Sequence, residues 1–241
     1  MRPLFSYPIL WHTSPMNKPK ENKFPMRINK YLAHKGYSTR LGGDELVRNK
    51  MVKINGKVAE LGSKVEEKDK VEIIGGDKER KYKYFAYNKP IGQTTEDIVF
   101  TEGFPLGRLD KSSHGLILVT DDGRVTDRLL NPDYSHEKEY ITYTHDKLPS
   151  NFKKRMELGI NIEGYITKPC RIDVLGENKF RIVLIEGKKH QIRRMCAALG
   201  LRIRDLKRTR IMNIMLGELP DGHKRQIDGK ELKDFLGGIG L

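Results

Sequence analysis

With 241 residues and 37% apolar side chains, the chain can form one large domain or two smaller ones, and its apolar runs are too short for the ~20-residue helix that spans a membrane. Two cysteines without CxxC spacing argue against a disulfide framework or a zinc knuckle, and they lead us to expect a cytoplasmic protein, with an organellar location as the alternative. The net charge of +14 makes a polyanion the first candidate partner, because Lys and Arg that neutralise phosphates release condensed counterions.

Composition divides the chain into four parts. Residues 1–25 contain a short apolar patch that Pro8 interrupts, too short for a secretory signal, and we predict a mostly disordered extension. Residues 26–75 form a first module, and the glycine-led charged stretch 76–83 is typical of a linker. Residues 84–241 then form a second, larger domain.

The first module begins with two short helices and ends in a small sheet. The segment "RINKYLAHKGYS" predicts a helix that Gly36 closes as a C-terminal cap. Ser38 is a candidate N-cap for a second helix that runs to about residue 49. In the following "VKINGK", apolar and polar residues alternate around Asn-Gly, the strongest short signal of a β-hairpin.

The stretches "RINKYLAHKGYSTR", "GDELVRN" and "VKINGK" make the whole module resemble the S4 RNA-binding domain, named for the ribosomal protein. In that family the helix pair presents basic side chains to RNA. For any single cation, solvation of the helix is the alternative. The resemblance implies four RNA-binding residues: Arg27, Lys30, Arg40 and Arg48.

The second domain alternates strand-like and helix-like stretches without a βαβ rhythm. Strands are predicted at residues 84–88, 116–120, 138–143, 171–174, 180–184 and 201–206. Helices are predicted at residues 122–130, 151–158, 190–199 and 229–236. We therefore predict the α+β class, with a mixed, largely antiparallel sheet flanked by helices.

The positive charge is concentrated in one segment of this domain. Residues 188–210 contain nine Lys and Arg against one acid, a net charge of +8 in 23 residues. Repulsion within such a segment destabilises the fold, so scattered solvation is the weaker interpretation. We predict that the segment lines a groove for nucleic acid.

The stretch "GFPLGRLDKSSHGLILVT" places one carboxylate, Asp110, in a glycine-rich loop ahead of an apolar strand. Taken alone, such an aspartate is most often a turn former. However, "GRLDKSSHGLILVTDDG" resembles the signature of pseudouridine synthases, and "HEKEY" and "GKKHQIRRMCAALG" match that family's other motifs in order. With the S4 module in front, the chain is similar to the RsuA/RluB/RluF-type branch over about residues 26–236. Ser113 stands where many relatives carry Thr and keeps the hydroxyl.

The resemblance implies a reaction that one carboxylate can carry. Pseudouridine formation breaks the N1–C1′ bond of a uridine, rotates the uracil and rejoins it through C5. Nothing is added or removed, so we expect Asp110 as the catalytic residue, no cofactor and no metal. The carboxylate acts as a nucleophile or removes the 2′ proton, and the sequence leaves both routes open.

The resemblance also implies partners for this carboxylate. Arg193 of "HQIRRM" is expected to form an ion pair with Asp110, because burial alone would raise the pKa of the carboxyl group. Tyr140 of "KEY" is expected to stack on the flipped base, with an ordinary core tyrosine as the alternative. Arg108 is expected to fill the gap that the flipped uridine leaves, with a phosphate clamp as the alternative.

The remaining site predictions concern the surroundings of the flipped uridine. Arg194 is expected to bind phosphate, and Lys207 and Arg208 to lie in the RNA groove. Leu109 and Leu116 are expected to form an apolar wall that keeps water from the intermediate. "HEKEY" lacks the second histidine of the zinc motif HExxH, so no metal site is predicted.

The sequence thus predicts a monomeric enzyme that isomerises a specific uridine in structured RNA. Large-subunit (23S) ribosomal RNA is the expected partner, and a transfer RNA is an additional candidate. An RNA-binding protein of ribosome assembly with a silent synthase-like body is the alternative. A nucleoside glycosidase is a third interpretation, and it predicts release of free uracil.

Overall fold

The structure is a computed structural model that describes residues 24–38, 40–74 and 81–241. Almost all of the predicted extension and residues 76–80 of the predicted linker lie outside the described residues. Within the described residues, no helix combines the length and the apolar character needed to span a membrane.

The N-terminal module contains two helices and two small sheets. The elements are β1 Met26–Arg27, α1 Ile28–His34, α2 Arg40–Arg48, β2 Val52–Ile54, β3 Lys57–Val58, β4 Lys64–Val65 and β5 Val71–Ile73. Strand β1 pairs with β4, and the second sheet has the order β3-β2-β5, with all pairs antiparallel.

Two local predictions for this module are confirmed and one is wrong. Gly36 ends α1 at φ +82°, and Tyr37 N–H donates to the Leu32 carbonyl at 2.9 Å, the pattern of a glycine cap. Asn55 and Gly56 both have positive φ, as a two-residue hairpin turn requires. Ser38 does not cap α2, because its Oγ is buried and has no hydrogen-bond partner among the described residues.

The second domain contains the remaining strands and helices. Its elements are β6 Tyr84–Lys89, β7 Phe104–Leu106, β8 His114–Thr120, α3 Arg124–Leu130, β9 Lys138–Thr144, α4 Phe152–Glu157, β10 Asn161–Ile162, β11 Tyr165–Ile166, β12 Arg171–Gly176, β13 Lys179–Leu184, α5 Gln191–Ala197, β14 Ile203–Ile211, β15 Ile214–Met215, β16 Lys224–Gln226 and α6 Gly229–Gly238.

Nine strands of the described residues form one mixed sheet, which confirms the predicted fold class. Seven of them run in the order β12-β13-β9-β14-β8-β6-β16, with β7 beside β8 and β15 beside β14. All neighbours are antiparallel except β14 and β8. The prediction missed the short strands β7, β10, β11, β15 and β16.

Separate apolar cores pack on the sheet. One lies between strands β6 and β8 and helices α3 and α6, and includes Leu116, Leu129 and Phe235. Another covers β9, β12 and β13 with α4 and α5, and includes Phe180 and Ile192. A smaller cluster lies under the loop between β6 and β8.

Helix α3 contacts the N-terminal module. Arg124, in its first turn, binds the fully buried Asp122 carboxylate through Nε at 2.9 Å and Nη2 at 2.8 Å. Its guanidinium lies 4.6 Å from the centre of the Tyr82 ring, and the Tyr82 hydroxyl donates to the Gly36 carbonyl at 2.7 Å. The end of α1 therefore rests on the start of α3.

Candidate active site

A cavity of about 660 Å³ opens between the two halves of the large sheet. Its walls come from the loop before β8, the end of α3, the start of β9, the middle of β14 and the segment that leads into α5. Six of the predicted site residues line this cavity, namely Arg108, Leu109, Asp110, Tyr140, Arg193 and Arg208.

The loop that carries Asp110 is held by backbone contacts on both sides. The buried Thr95 hydroxyl accepts from Leu109 N–H at 3.0 Å and donates to the Leu109 carbonyl at 3.1 Å. Ser113 N–H donates to the Asp110 carbonyl at 2.9 Å, which closes a turn after Asp110. These contacts hold the aspartate at the cavity wall.

Gly115 brings β14 against this loop. Its φ is +102°, and a Cβ added there would lie 2.3 Å from the Arg208 carbonyl oxygen. No other residue fits such a close approach, because every other side chain begins with a Cβ. The glycine thus permits the parallel contact of β8 with β14, where Gly115 faces Arg208.

The predicted ion pair between Asp110 and Arg193 is not formed. Arg193 Nη2 donates to the Ser112 carbonyl at 3.0 Å and to Ser113 Oγ at 3.3 Å, so it braces the turn after the aspartate. Within the part of the chain that the structure describes, the Asp110 carboxylate pairs instead with His190, whose Nε2 lies 3.3 Å from Oδ1. The prediction had the right neighbours but the wrong contact.

Tyr140 and Leu109 lie at the cavity as predicted, whereas Leu116 does not. Tyr140 is partly buried and packs against two apolar clusters, and Leu109 is 8% exposed. Leu116 is fully buried between the sheet and helices α3 and α6, because alternate residues of a strand face opposite sides. Its expected role as a wall of the site is therefore corrected to a core role.

Arg208 is also corrected, since it is only 3% exposed. Its Nε donates to the Leu116 carbonyl at 2.6 Å, and its Nη2 is buried with no hydrogen-bond partner among the described residues. A side chain in this position cannot bind phosphates at the protein surface. It places a nearly buried positive charge in the wall of the cavity.

Two lysines share this buried positive environment. Burial lowers the pKa of Lys138 to about 8, and the charge of Arg208 contributes to that shift. Lys89 is fully buried and donates to the carbonyls of Pro90 and Gln93 at 2.9 and 2.7 Å. Burial lowers the pKa of Lys89, the charge of Asp110 raises it and that of Arg208 lowers it.

The other predicted RNA contacts of this domain are dispersed. Arg108 is exposed at the lip of the cavity and pairs with Glu96 at 3.1 Å. Arg194 points away and binds the Glu163 carboxylate at 2.7 Å. Lys207 is partly buried on the face of β14 opposite Arg208 and does not line the cavity. The basic segment 188–210 therefore serves two sides of the sheet and not one groove.

In the N-terminal module the four predicted cations are all exposed on or beside the two helices, namely Arg27, Lys30, Arg40 and Arg48. Their RNA contacts stay a prediction.

Sequence reasoning missed a second cavity carboxylate and its contacts. Glu186 is 4% exposed and accepts from the Tyr165 hydroxyl at 2.6 Å, Lys168 N–H at 3.0 Å and Gln191 Nε2 at 2.7 Å. Lys138, His190 and Gln191 all lay inside the motifs, but no spacing rule distinguishes them there.

Among the described residues, no group of three His, Cys, Asp or Glu side chains is placed to hold a metal ion.

Comparison of the chain with known proteins identifies its family. The model of the family described as RNA pseudouridylate synthase matches residues 68–198, and that of the S4 domain matches residues 26–71. The chain belongs to the RNA pseudouridylate synthase family. It is therefore an enzyme that acts on RNA, with an S4 domain at its N-terminal side, and the predicted resemblance is confirmed.

Individual relatives agree. The chain is 36% identical to the dual-specificity RNA pseudouridine synthase RluF of Escherichia coli (strain K12), over 88% of this chain and 78% of that one. It is 33% identical to the ribosomal large subunit pseudouridine synthase B of Bacillus subtilis (strain 168), over 86% of this chain and 94% of that one. A crystal structure of a pseudouridylate synthase has a TM-score of 0.64 and 27% identity, and covers 89% of this chain and 99% of its own.

Proposed function

We propose that Asp110 is the catalytic carboxylate that isomerises a uridine in structured ribosomal RNA. The difference between the two carboxylates of the cavity supports this most. Glu186 is buried and already accepts three hydrogen bonds, whereas the Asp110 side chain is 37% exposed and, among the described residues, accepts no hydrogen bond and has one ion-pair partner, His190. Asp110 has an oxygen available to a substrate, and Glu186 does not.

The chemistry needs one carboxylate oxygen near C1′ of the uridine. As a nucleophile, it displaces uracil at C1′ and is released when C5 attacks the same carbon. As a base, it takes the 2′ proton and returns it after the uracil rejoins through C5. In either route the proton at C5 leaves to solvent and N1 gains one, so no cofactor is needed.

The target uridine must leave the RNA stack, since its C1′ and C5 are not accessible inside a helix. Arg108 is placed at the lip, two residues before the catalytic carboxylate, with an exposed guanidinium that is suited to fill the gap. Tyr140 offers its ring to the flipped base from the cavity wall. Leu109 adds an apolar contact that excludes water.

The proposed substrate is large-subunit ribosomal RNA, because the relative from Bacillus subtilis is a ribosomal large subunit enzyme. The Escherichia coli relative is named for dual specificity, so a second RNA, for which we propose a transfer RNA, belongs to the test. The enzyme acts as a cytoplasmic monomer in this proposal. Its S4 domain supplies affinity for folded RNA.

The test measures tritium release from large-subunit ribosomal RNA transcripts that carry [5-³H]uridine. We expect the wild type to release tritium, and Asp110→Asn to lose more than about 1,000-fold in rate while its RNA dissociation constant stays unchanged. Equal rates would remove Asp110 from the mechanism. Free uracil in the reaction would indicate a glycosidase, and RNA binding without any release would indicate a silent binding protein.

Chemical mapping of pseudouridines in cells with and without the gene tests the substrate. A site that disappears from the large-subunit RNA supports the proposal. Disappearance from transfer RNA alone would contradict it.

A further inference from the structure

His190 has a left-handed backbone conformation that few non-glycine residues adopt, although histidine tolerates it better than most. It precedes α5 at φ 52° and ψ 29°, in the left-handed region that glycine and asparagine adopt more readily. Its side chain makes no capping hydrogen bond to the helix. Since strained residues of this kind persist where the surroundings hold them, the position points to a use for the imidazole.

The network around Glu186 holds this conformation. The buried carboxylate accepts from Gln191 Nε2 at 2.7 Å, and Gln191 Oε1 accepts from Lys188 N–H at 2.9 Å. The segment before α5 is thus tied on both sides of His190. Tyr165 and Lys168 N–H complete the shell of donors, so the anchor is satisfied without any substrate.

The imidazole and Arg193 divide two tasks between them. Arg193 bonds to the Ser112 carbonyl and Ser113 Oγ, which fixes the backbone of the turn after Asp110. His190 Nε2 contacts Oδ1 of Asp110 itself at 3.3 Å. This contact involves one oxygen of the carboxylate and leaves the other, Oδ2, without a hydrogen-bond partner among the described residues.

We infer that His190 is a positioning residue that aims the Asp110 carboxylate at the sugar of the bound uridine, with Glu186 as its anchor. This inference rests on the proposed role of Asp110. It predicts a loss in the rate of the bound complex and not in RNA affinity, because misplacing a reacting group by about 1 Å costs on the order of 100-fold in rate.

Three substitutions separate the imidazole from its backbone conformation. His190→Gly keeps the left-handed backbone and removes the side chain, and His190→Asn also tolerates the backbone but is too short to reach Asp110. His190→Gln places an amide N–H near the position of imidazole Nε2. Melting temperatures of all three, measured first, identify any variant that does not fold.

The experiment measures single-turnover tritium release at saturating large-subunit ribosomal RNA transcript, with RNA affinity measured separately. We expect His190→Gly and His190→Asn to lose on the order of 100-fold in rate with unchanged affinity, while His190→Gln retains most of the rate. Added imidazole should raise the rate of the glycine variant and not that of the wild type, an effect that a purely structural role would not produce.

Three results would overturn the inference. The first is a wild-type rate in the glycine and asparagine variants. The second is a glycine variant whose lost rate added imidazole does not restore, together with a glutamine variant that is equally slow. The third is a decrease in RNA affinity at an unchanged rate. The last would make His190 a phosphate ligand beside Lys188 and Lys189. If Asp110→Asn also kept the wild-type rate, the proposed role of Asp110 would fail first, which distinguishes the two failures.

The role of Glu186 as the anchor of His190 has a separate test. Glu186→Gln places an amide N–H₂ among three donors and should release the segment that carries His190. We expect a rate decrease that imidazole does not restore, and a double variant with His190→Gly that is no slower than the glycine variant. Fully multiplicative decreases would show that Glu186 acts independently of His190.

Discussion

The two domains differ in where some of their cations lie, since the catalytic domain buries two of them whereas the four predicted RNA-binding cations of the S4 domain are all exposed. In the S4 domain the cations of the helix pair are exposed, as Arg27 and Arg48 illustrate. In the catalytic domain Lys89 is fully buried, and Arg208, in the wall of the cavity, is 3% exposed. Exposed cations contribute to RNA affinity, and this contribution decreases as the salt concentration rises. Buried cations instead change the electrostatic potential inside the cavity, where salt screens them much less. The net charge of +14 therefore overstates the surface available to RNA.

The largest effect that tests this difference between buried and exposed cations is expected for a substitution of Arg208. Arg208→Met removes a buried charge at the cavity and should lower the saturated rate on the order of 100-fold, with RNA affinity unchanged. Lys207→Met is the matched control, since Lys207 lies on the opposite face of β14. Single-turnover rates and filter binding measure both quantities. Weaker affinity at unchanged rate for Arg208→Met would place this guanidinium on the RNA instead.

In the S4 domain, substitutions of exposed cations are expected to change RNA affinity and not the rate. The double variant Arg27→Glu and Arg48→Glu should weaken RNA binding by about 10- to 100-fold and flatten the dependence of log K on log salt concentration, by about 0.7 to 0.9 for each phosphate that is no longer neutralised. The rate at saturation should not change. Lys57→Glu, on the exposed hairpin of the same domain, is the control. An unchanged salt slope would show that this helix pair faces away from RNA.

A smaller effect is expected in the pH dependence of stability. The pKa of Lys138 is lowered from 10.5 to about 8, so between these values the unfolded chain binds a proton that the folded chain does not. The lysine therefore destabilises the fold below pH 8 by up to about 3 kcal/mol, and this cost disappears as the pH rises towards 10.5. Lys138→Met should be most stabilising at pH 7 and should no longer stabilise the fold by about pH 10.

Urea unfolding of both proteins across this pH range measures the difference. Parallel stability profiles would mean that Lys138 has an ordinary pKa. Lys153→Met, a change on the exposed surface of α4, serves as the control.

The smallest effect concerns Arg108, an exposed cation of the catalytic domain. Its pair with Glu96 is between two exposed side chains, and such pairs contribute at most about 1 kcal/mol. Glu96→Gln should free Arg108 for RNA and lower the KM by no more than about fivefold. A rise in KM would indicate that Glu96 positions Arg108 for RNA and does not restrain it.

Motif order was enough to predict the family, the fold class and the neighbourhood of Asp110, because spacing along the chain determines which elements meet. The predicted contact between Asp110 and Arg193 was wrong, since a few ångströms in side-chain placement decide which cation reaches the carboxylate. The burial of Arg208 follows from strand alternation, but β14 was predicted to end at residue 206, so the alternation was not applied to it. The left-handed backbone of His190 has no local sequence signal.

Helix α3 connects the N-terminal module with the cavity. Its first turn supports the end of α1 through Arg124, and its last turn, with Leu129 and Leu130, lines the cavity. Seven residues at 1.5 Å each make a rod of about 10 Å. The residues that contact the N-terminal module and those that line the cavity are therefore only about 10 Å apart, on one helix with a continuous backbone.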